Sequence, residues 1–450
     1  MSTGDRFLYG VGTSAYQVEG YPLADGGGPC IWHEFSHTPG NVRGDDNGDV
    51  ACDHYHRYGE DVGLMARLGV EGYRFSVRWP RVIPSGTGRV NPRGLDFYDR
   101  LVDRLVGSGI RPFATLYHWD LPVSLRDRGG WTNPEMVSWF ADYASVVAER
   151  LGDRVHDVLT LNEPWVTAFE AVVNVSYAPG MRNVFSGMRA VRNQIRAHIA
   201  AYDAIKSKSE AIAVGICLSN TWWRPERPEA EEDRRASGTA YAFDAFPLFL
   251  DPLLRGSFPP EIDGYLSEYL PEPELDSLRA RPARPIDFVG LNYYSTAYAV
   301  ADRGEPFGYR AVAHPEKAHT GDRWVIDASG VYELLVALKD RYGAHGAVPV
   351  YVTENGFATE ASALDEAVHD PERIAFLSQH IAHVLAARSA GVDVRGYFVW
   401  SLMDNFEWSE GFGKRFGLVH IDRESLARTT KDSGWWYARV CRGEVVPSLG

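Results

Sequence analysis

Eight short apolar runs alternate along 450 residues with longer amphipathic stretches. This rhythm predicts an α/β chain: a single (β/α)8 TIM barrel spanning residues 1–450, with its active site at the C-terminal ends of the strands. Two further observations favour a closed barrel over an open dinucleotide-binding sheet. Gly10-Val11-Gly12 is followed by Thr13-Ser14-Ala15, so the third glycine of G-x-G-x-x-G is missing. No Pro/Ser-rich linker divides the eight units.

The candidate strands are Phe7–Gly12, Gly72–Val77, Pro112–Tyr117, Val155–Leu161, Ala213–Leu218, Ile286–Asn292, Val348–Thr353 and Arg395–Trp400. Their near-continuous apolar character fits strands covered on both faces, as parallel strands are. Helical periodicity marks Tyr58–Leu68, Leu95–Val106, Pro134–Leu151, Ala190–Lys206, Val331–Tyr342 and Pro371–Ala390. Asn133-Pro134 reads as an N-cap beside a first-turn proline, and Gly69, Gly109 and Gly391 follow helix ends. The polar segments Pro225–Ala236 and Pro271–Pro285 read as loops within the same domain.

Composition narrows the function. The net charge is −14, and a nucleic-acid binder normally carries a basic face, so that role is excluded. No apolar stretch is long enough to span a bilayer, and residues 1–6 lack the pattern of a signal peptide. Cys30, Cys52, Cys217 and Cys441 are scattered without C-x-x-C spacing, as expected of reduced thiols in a cytoplasmic protein. The histidines and cysteines offer no ligand cluster, so neither a metal nor a cofactor is expected. Nothing in the sequence sets an oligomeric state.

In a barrel all strands end at one mouth. Those ends carry Gln17 and Glu19, then Arg74, Tyr117-His118-Trp119-Asp120, Asn162-Glu163, Asn292-Tyr293-Tyr294, Glu354-Asn355, and Trp400-Ser401 with Glu407-Trp408 beyond. The fifth strand adds only Asn220 and Thr221. Two glutamates stand out, in Thr160-Leu161-Asn162-Glu163-Pro164 and in Tyr351-Val352-Thr353-Glu354-Asn355-Gly356. A carboxyl pair at one mouth, one protonated and one ionised, is what cleavage of a glycosidic bond requires. Aromatic faces for sugar C–H surfaces, and amides for hydroxyls, surround it.

At these residues the chain resembles glycoside hydrolase family 1, the β-glucosidase family. The resemblance runs from Gly10-Val11-Gly12-Thr13-Ser14-Ala15-Tyr16-Gln17-Val18-Glu19-Gly20 to Lys414-Arg415-Phe416-Gly417-Leu418. It passes through Ile31-Trp32, Tyr73-Arg74-Phe75-Ser76, Leu116-Tyr117-His118-Trp119-Asp120-Leu121-Pro122, both glutamate stretches and Gly290-Leu291-Asn292-Tyr293-Tyr294. It implies that Glu163 is the general acid/base and Glu354 the nucleophile. Gln17, His118, Asn162 and Glu407 match positions that bind hydroxyls of the non-reducing sugar, with Trp119 among the substrate-binding residues. Trp400 matches the platform beneath that sugar, Trp408 a neighbouring contact, and Trp324 an aromatic on the leaving-group side. Arg74, Asn292 and Tyr294 match groups that surround the nucleophile. Residues 172–180 depart from the family pattern on the leaving-group side.

These roles imply a retaining β-glycosidase, and first a β-D-glucosidase, that works by double displacement on small β-glucosides or oligosaccharides. Retaining enzymes hold the two carboxyls roughly 5–5.5 Å apart. A carboxylate at Glu407 suits free 4- and 6-hydroxyls and repels a 6-phosphate. The rival expectations are a transglycosidase using the same intermediate, and a barrel that binds sugar without cleaving it.

Overall fold

The computed structural model describes residues 6–169, 184–244, 246–260, 286–305, 307–321, 324–345, 348–360 and 368–449, with the single residues 262 and 264. Residues 172–180 and Pro271–Pro285, both named above, lie outside them.

The strands in chain order are β1 (Leu8–Gly12), β2 (Gly72–Ser76), β3 (Arg111–Tyr117), β4 (Asp157–Asn162), β5 (Ala213–Pro225), β6 (Phe288–Ala301), β7 (Tyr309–Val312), β8 (Val350–Asn355), β9 (Val394–Trp400), β10 (Val419–Ile421) and β11 (Arg428–Thr430). Eight of them, β1 to β6 with β8 and β9, pair in parallel and close through β5–β6 and β9–β1. These are the eight expected runs. β7 lies antiparallel on β6, and β10 pairs with β11 outside the barrel.

The barrel is filled from its floor upward. Phe113, Leu159, Cys217, Phe288, Tyr351 and Phe398 form one buried cluster. Gly10 makes room for it: a Cβ there would stand 2.4 Å from the Phe398 ring. Two residues further along β2, β3 and β8, the same face carries polar groups. Arg74 follows Gly72, Thr115 follows Phe113, and Thr353 follows Tyr351; all three polar residues are buried. Apolar packing thus holds the lower barrel, and a polar layer above it meets the mouth.

Outside, helices cover the strands as the periodicity predicts. His54–Leu68 buries Tyr55, Val62, Met65 and Leu68, and Pro92–Gly107 buries Leu95, Tyr98, Leu101, Val102 and Leu105. Gly69, Gly109 and Gly391 take φ of 75°, 73° and 86°, the left-handed turn that ends a helix.

Two readings need correction. The helix after Asn133 begins at Met136, and Asn133 Oδ1 accepts from the Glu135 N–H at 2.9 Å, so it caps the turn before the helix. The segment 225–236 is not all loop. β5 and β6 run on past the barrel as a ribbon, Trp222–Pro225 against Thr296–Ala299, and helix Glu231–Phe243 packs on it. That helix opens with Glu231, Glu232 and Asp233, which favour the positive end of its dipole.

Candidate active site

Glu163 and Glu354 line one cavity of about 360 Å³ at the C-terminal mouth, a size suited to a small molecule. His118, Trp119, Tyr294, Trp324, Trp400, Glu407 and Trp408 line it with them. Arg74, Asn162, Asn292 and Gln17 are buried directly behind and bond to lining residues.

Sheet irregularities aim the two carboxyls. The β4–β5 register shifts between Leu159 and Asn162, and the β8–β9 register shifts between Val352 and Asn355. Such shifts re-aim side chains at strand ends beside functional sites. Glu163 itself has φ 47°, Trp119 φ 73° and Trp408 φ 50°. The left-handed region costs a non-glycine residue roughly 1 kcal/mol or more. Three cavity residues held there mark a mouth whose geometry is set by the surrounding packing.

A hydrogen-bonded relay connects the carboxyls. Arg74 donates from Nη1 to Glu354 Oε1 and from Nη2 to Asn162 Oδ1 at 2.6 Å. Asn292 Nδ2 donates to the same Asn162 oxygen at 3.2 Å and to Glu163 Oε1 at 2.7 Å. Tyr294 donates its phenol proton to Glu354 Oε2 at 2.7 Å. Thr115 and the Thr353 carbonyl take further N–H groups of Arg74. Asn292 therefore differs from its expected place: its bond goes to Glu163 rather than Glu354. Its own Oδ1 faces the other way, accepting from Thr353 Oγ1 at 2.8 Å and Cys217 Sγ at 3.0 Å, which fixes the amide orientation.

The two carboxyls sit in opposed surroundings. Glu354 has a guanidinium and a phenol, both donors, on its two oxygens. Glu163 has one neutral amide donor. Burial pushes the Glu163 carboxyl up to about 8, the nearby Glu354 charge adds to the rise, and the Asn292 bond and Arg74 oppose it. Burial and Glu354 also hold the Tyr294 phenol well above its ordinary value, so it stays a donor. Burial, with Arg74 second, holds His118 well below its ordinary value, leaving a neutral imidazole. Asn162 Nδ2 meets His118 Nε2 at 3.0 Å. The Asn162 oxygen is committed to Arg74 and Asn292, so its amide must donate and the His118 proton sits on Nδ1.

Around this centre the aromatic rings form walls. Trp400 and His118 lie nearly parallel, 5.7 Å apart, and Trp408 lies 4.7 Å from Trp119. Trp119 Nε1 donates to the Asn162 carbonyl at 3.1 Å. Gln17 is fully buried, outside the lining; its amide donates to Glu407 Oε2 at 3.2 Å and to the Phe406 carbonyl at 2.8 Å. Trp324 stands at the rim, 37% exposed, with its ring 5.0 Å from Tyr294. Glu19 points elsewhere, paired with Arg81 and Tyr98.

Sequence reasoning misses Thr115, Thr353 and Cys217, which hold Arg74 and Asn292 in place. Two-residue alternation up from Phe113 and Tyr351 is the signal that finds the threonines. It also gives too little weight to β5, whose Ser219, Asn220 and Thr221 all line the cavity beside Trp165 and Val166.

Comparison with known proteins covers nearly the whole chain. Residues 2–445 match the family described as Glycosyl hydrolase family 1. Beta-glucosidase A of Thermotoga maritima is 47% identical over 439 residues, which are 97% of this chain and 97% of that one. A 1,4-beta-D-glucan glucohydrolase of Thermotoga neapolitana is 44% identical over 442 residues, 97% and 98% of the two chains. The solved Thermotoga maritima beta-glucosidase in complex with glucoimidazole has a TM-score of 0.93 at 46% identity, covering 98% of this chain and 99% of that one. A match of this length and identity, on a barrel whose mouth holds a buried carboxyl pair, decides the family: the chain is a glycoside hydrolase and belongs to glycosyl hydrolase family 1.

Proposed function

We propose that this single-domain barrel is a retaining β-D-glucosidase acting on terminal, non-reducing β-glucosyl residues of small glucosides and short oligosaccharides. The observation that carries the reading is a pair of buried carboxyls in one cavity with unlike surroundings, Glu354 between the Arg74 guanidinium and the Tyr294 phenol and Glu163 on the neutral Asn292 amide. A glycosidic oxygen is a poor leaving group at neutral pH, so it must be protonated as its bond breaks. Glu163, held up to about 8, keeps its proton for that purpose. Glu354, between Arg74 and Tyr294, attacks the anomeric carbon as the anion.

The first displacement makes a glycosyl ester on Glu354 and removes its charge. That charge is one of the causes that raise Glu163, so the acidity of Glu163 increases at the moment it must give up its proton. The resulting carboxylate then takes a proton from water, which attacks from the face the leaving group vacated. Asn162, held by Arg74 and Asn292, is positioned for the sugar 2-hydroxyl, a contact that tightens as charge develops at the anomeric carbon.

Specificity follows from the far wall. His118 and Glu407 receive sugar hydroxyls, with Gln17 holding Glu407 from behind; Trp119, Trp400 and Trp408 wall the sugar's C–H surfaces, and Trp324 flanks the leaving group. The Gln17–Glu407 bond supports a carboxylate held for free hydroxyls. Glu407→Ser is expected to lower kcat/KM on 4-nitrophenyl β-glucoside at least tenfold, about the worth of one charged hydrogen bond. A substrate panel of β-glucoside, β-galactoside, β-fucoside and β-glucoside 6-phosphate tests the whole reading. The unphosphorylated glucoside is expected to lead and the 6-phosphate to be refused; preference for the phosphate, or unchanged glucoside kinetics in Glu407→Ser, would contradict it.

No helix among the described residues is long and apolar enough to cross a membrane. The four cysteines are free and buried, which supports a reducing cytoplasm as the compartment.

A further inference from the structure

The short helix Ile31–Ser36 and the chain just before Ala51 bring His33, His37 and Asp49 together. None of the three lines the sugar cavity. Sequence reading finds only scattered histidines and misses the cluster; the four-residue spacing of His33 and His37 is its signal, because i and i+4 share a helix face.

The hydrogen bonds orient these groups. His37 Nδ1 lies 2.6 Å from the His33 carbonyl oxygen. A carbonyl only accepts, so Nδ1 carries the proton, and in the neutral ring Nε2 presents a lone pair. That lone pair faces Asp49 Oδ2 at 3.1 Å. His33 Nδ1 faces Asp49 Oδ1 at 3.5 Å, and both of these atoms are buried without a hydrogen bond. The donor atoms of the three residues all lie within 4.8 Å of one another.

Two acceptors facing each other need a cation between them. A second proton on His37 satisfies one pair and leaves His33 Nδ1 and Asp49 Oδ1 unbonded. A metal ion engages all three residues. Zinc bound tetrahedrally at about 2.0–2.1 Å sets its donor atoms roughly 3.3 Å apart. The observed 3.1 and 3.5 Å separations bracket that edge. The His37 Nδ1 bond to a backbone carbonyl is also the outer contact that fixes a metal-ligating imidazole.

We propose that His33 Nδ1, His37 Nε2 and the Asp49 carboxylate form an auxiliary site for one divalent transition ion of the zinc class, with water completing the coordination. His37 and Asp49 are 41% and 45% exposed, which gives the ion an entry path and the water a place. Two imidazoles and one carboxylate select zinc, copper or nickel over magnesium or calcium. The site's role is structural. Helix Ile31–Ser36 carries Trp32, whose ring lies 4.6 Å from that of Trp408 in the sugar cavity. Tyr16 ties the same helix down through the Trp32 carbonyl and Ser36 Oγ. A bound ion fastens the Asp49 segment to the helix behind that wall.

The test uses full-length protein stripped with a chelator, then titrated with Zn²⁺ by calorimetry and with Co²⁺ by visible absorbance. One equivalent of Zn²⁺ is expected to bind and to raise Tm, since a ligand of the folded state alone stabilises it. Co²⁺ is expected to give the strong visible bands of a four-coordinate ion. His37→Gln and Asp49→Asn, made separately, should each weaken Zn²⁺ binding more than about tenfold. Both stripped variants should keep the Tm of the stripped parent and its kcat on 4-nitrophenyl β-glucoside. Absence of Zn²⁺ binding by the parent, or equal binding by both variants, would overturn the proposal.

Discussion

Glu354→Ala is expected to lower kcat on an aryl β-glucoside by on the order of 10⁶-fold, the scale of losing a covalent nucleophile. The side chain is buried at the cavity floor with Arg74 on one oxygen and Tyr294 on the other. Removing it leaves a guanidinium facing an empty space, while Arg74 keeps its bonds to Thr115 and Asn162. A small anion fits that description. Azide is therefore expected to enter beside Arg74, restore part of the activity and attack the anomeric carbon from the side Glu354 occupied. The product should be the α-glycosyl azide, identified by proton NMR. A β-linked azide, or full activity without azide, would contradict the nucleophile assignment.

Glu163→Ala is expected to respond to the leaving group instead. Protonation of the departing oxygen contributes about 10²–10⁴-fold where that oxygen is basic, as in an alkyl glucoside or cellobiose. A dinitrophenolate needs no proton, so glycosylation by its glucoside should be nearly unaffected, while return of water slows because the base is gone. Azide should again rescue, but now by attacking the ester on Glu354 from the Glu163 side, giving the β-glycosyl azide. The pH profile carries an independent signature. The acid acts only while protonated, so kcat/KM of the parent enzyme should be present below pH 8 and fall as pH rises through about 8. That alkaline limb should vanish in Glu163→Ala. Equal losses across leaving groups, or an unchanged limb, would count against the acid role.

The two variants together separate the roles because each leaves the other carboxyl in place. Their azide products differ in anomeric configuration, and that difference depends only on which face of the sugar each glutamate occupies.

Much of this is legible in the amino-acid sequence, and for physical reasons. Parallel strands are covered on both faces, so each barrel strand appears as a continuous apolar run. The barrel then sends every strand end to one mouth, so Glu163, Glu354, His118 and Trp400 could be grouped without knowing a distance. What stayed hidden depends on neighbours across the barrel. The Asn292–Glu163 bond follows from register shifts that no single strand records. Cys217 looks like an ordinary core residue until its thiol is seen against Asn292 Oδ1. Helix Phe246–Leu254 is buried on all sides, so it has no polar face to give it a helical period. Helix Glu231–Phe243 packs on a strand extension beyond the barrel, a partner the alternating pattern does not announce.

The most direct measurement on the paired-carboxyl mechanism is the anomer released first. Proton NMR spectra taken through the first minutes of β-glucoside hydrolysis should show β-glucose rising ahead of α-glucose, which then follows by mutarotation. If α-glucose appears first, water has attacked the substrate directly, and Glu354 is not carrying the sugar between two displacements.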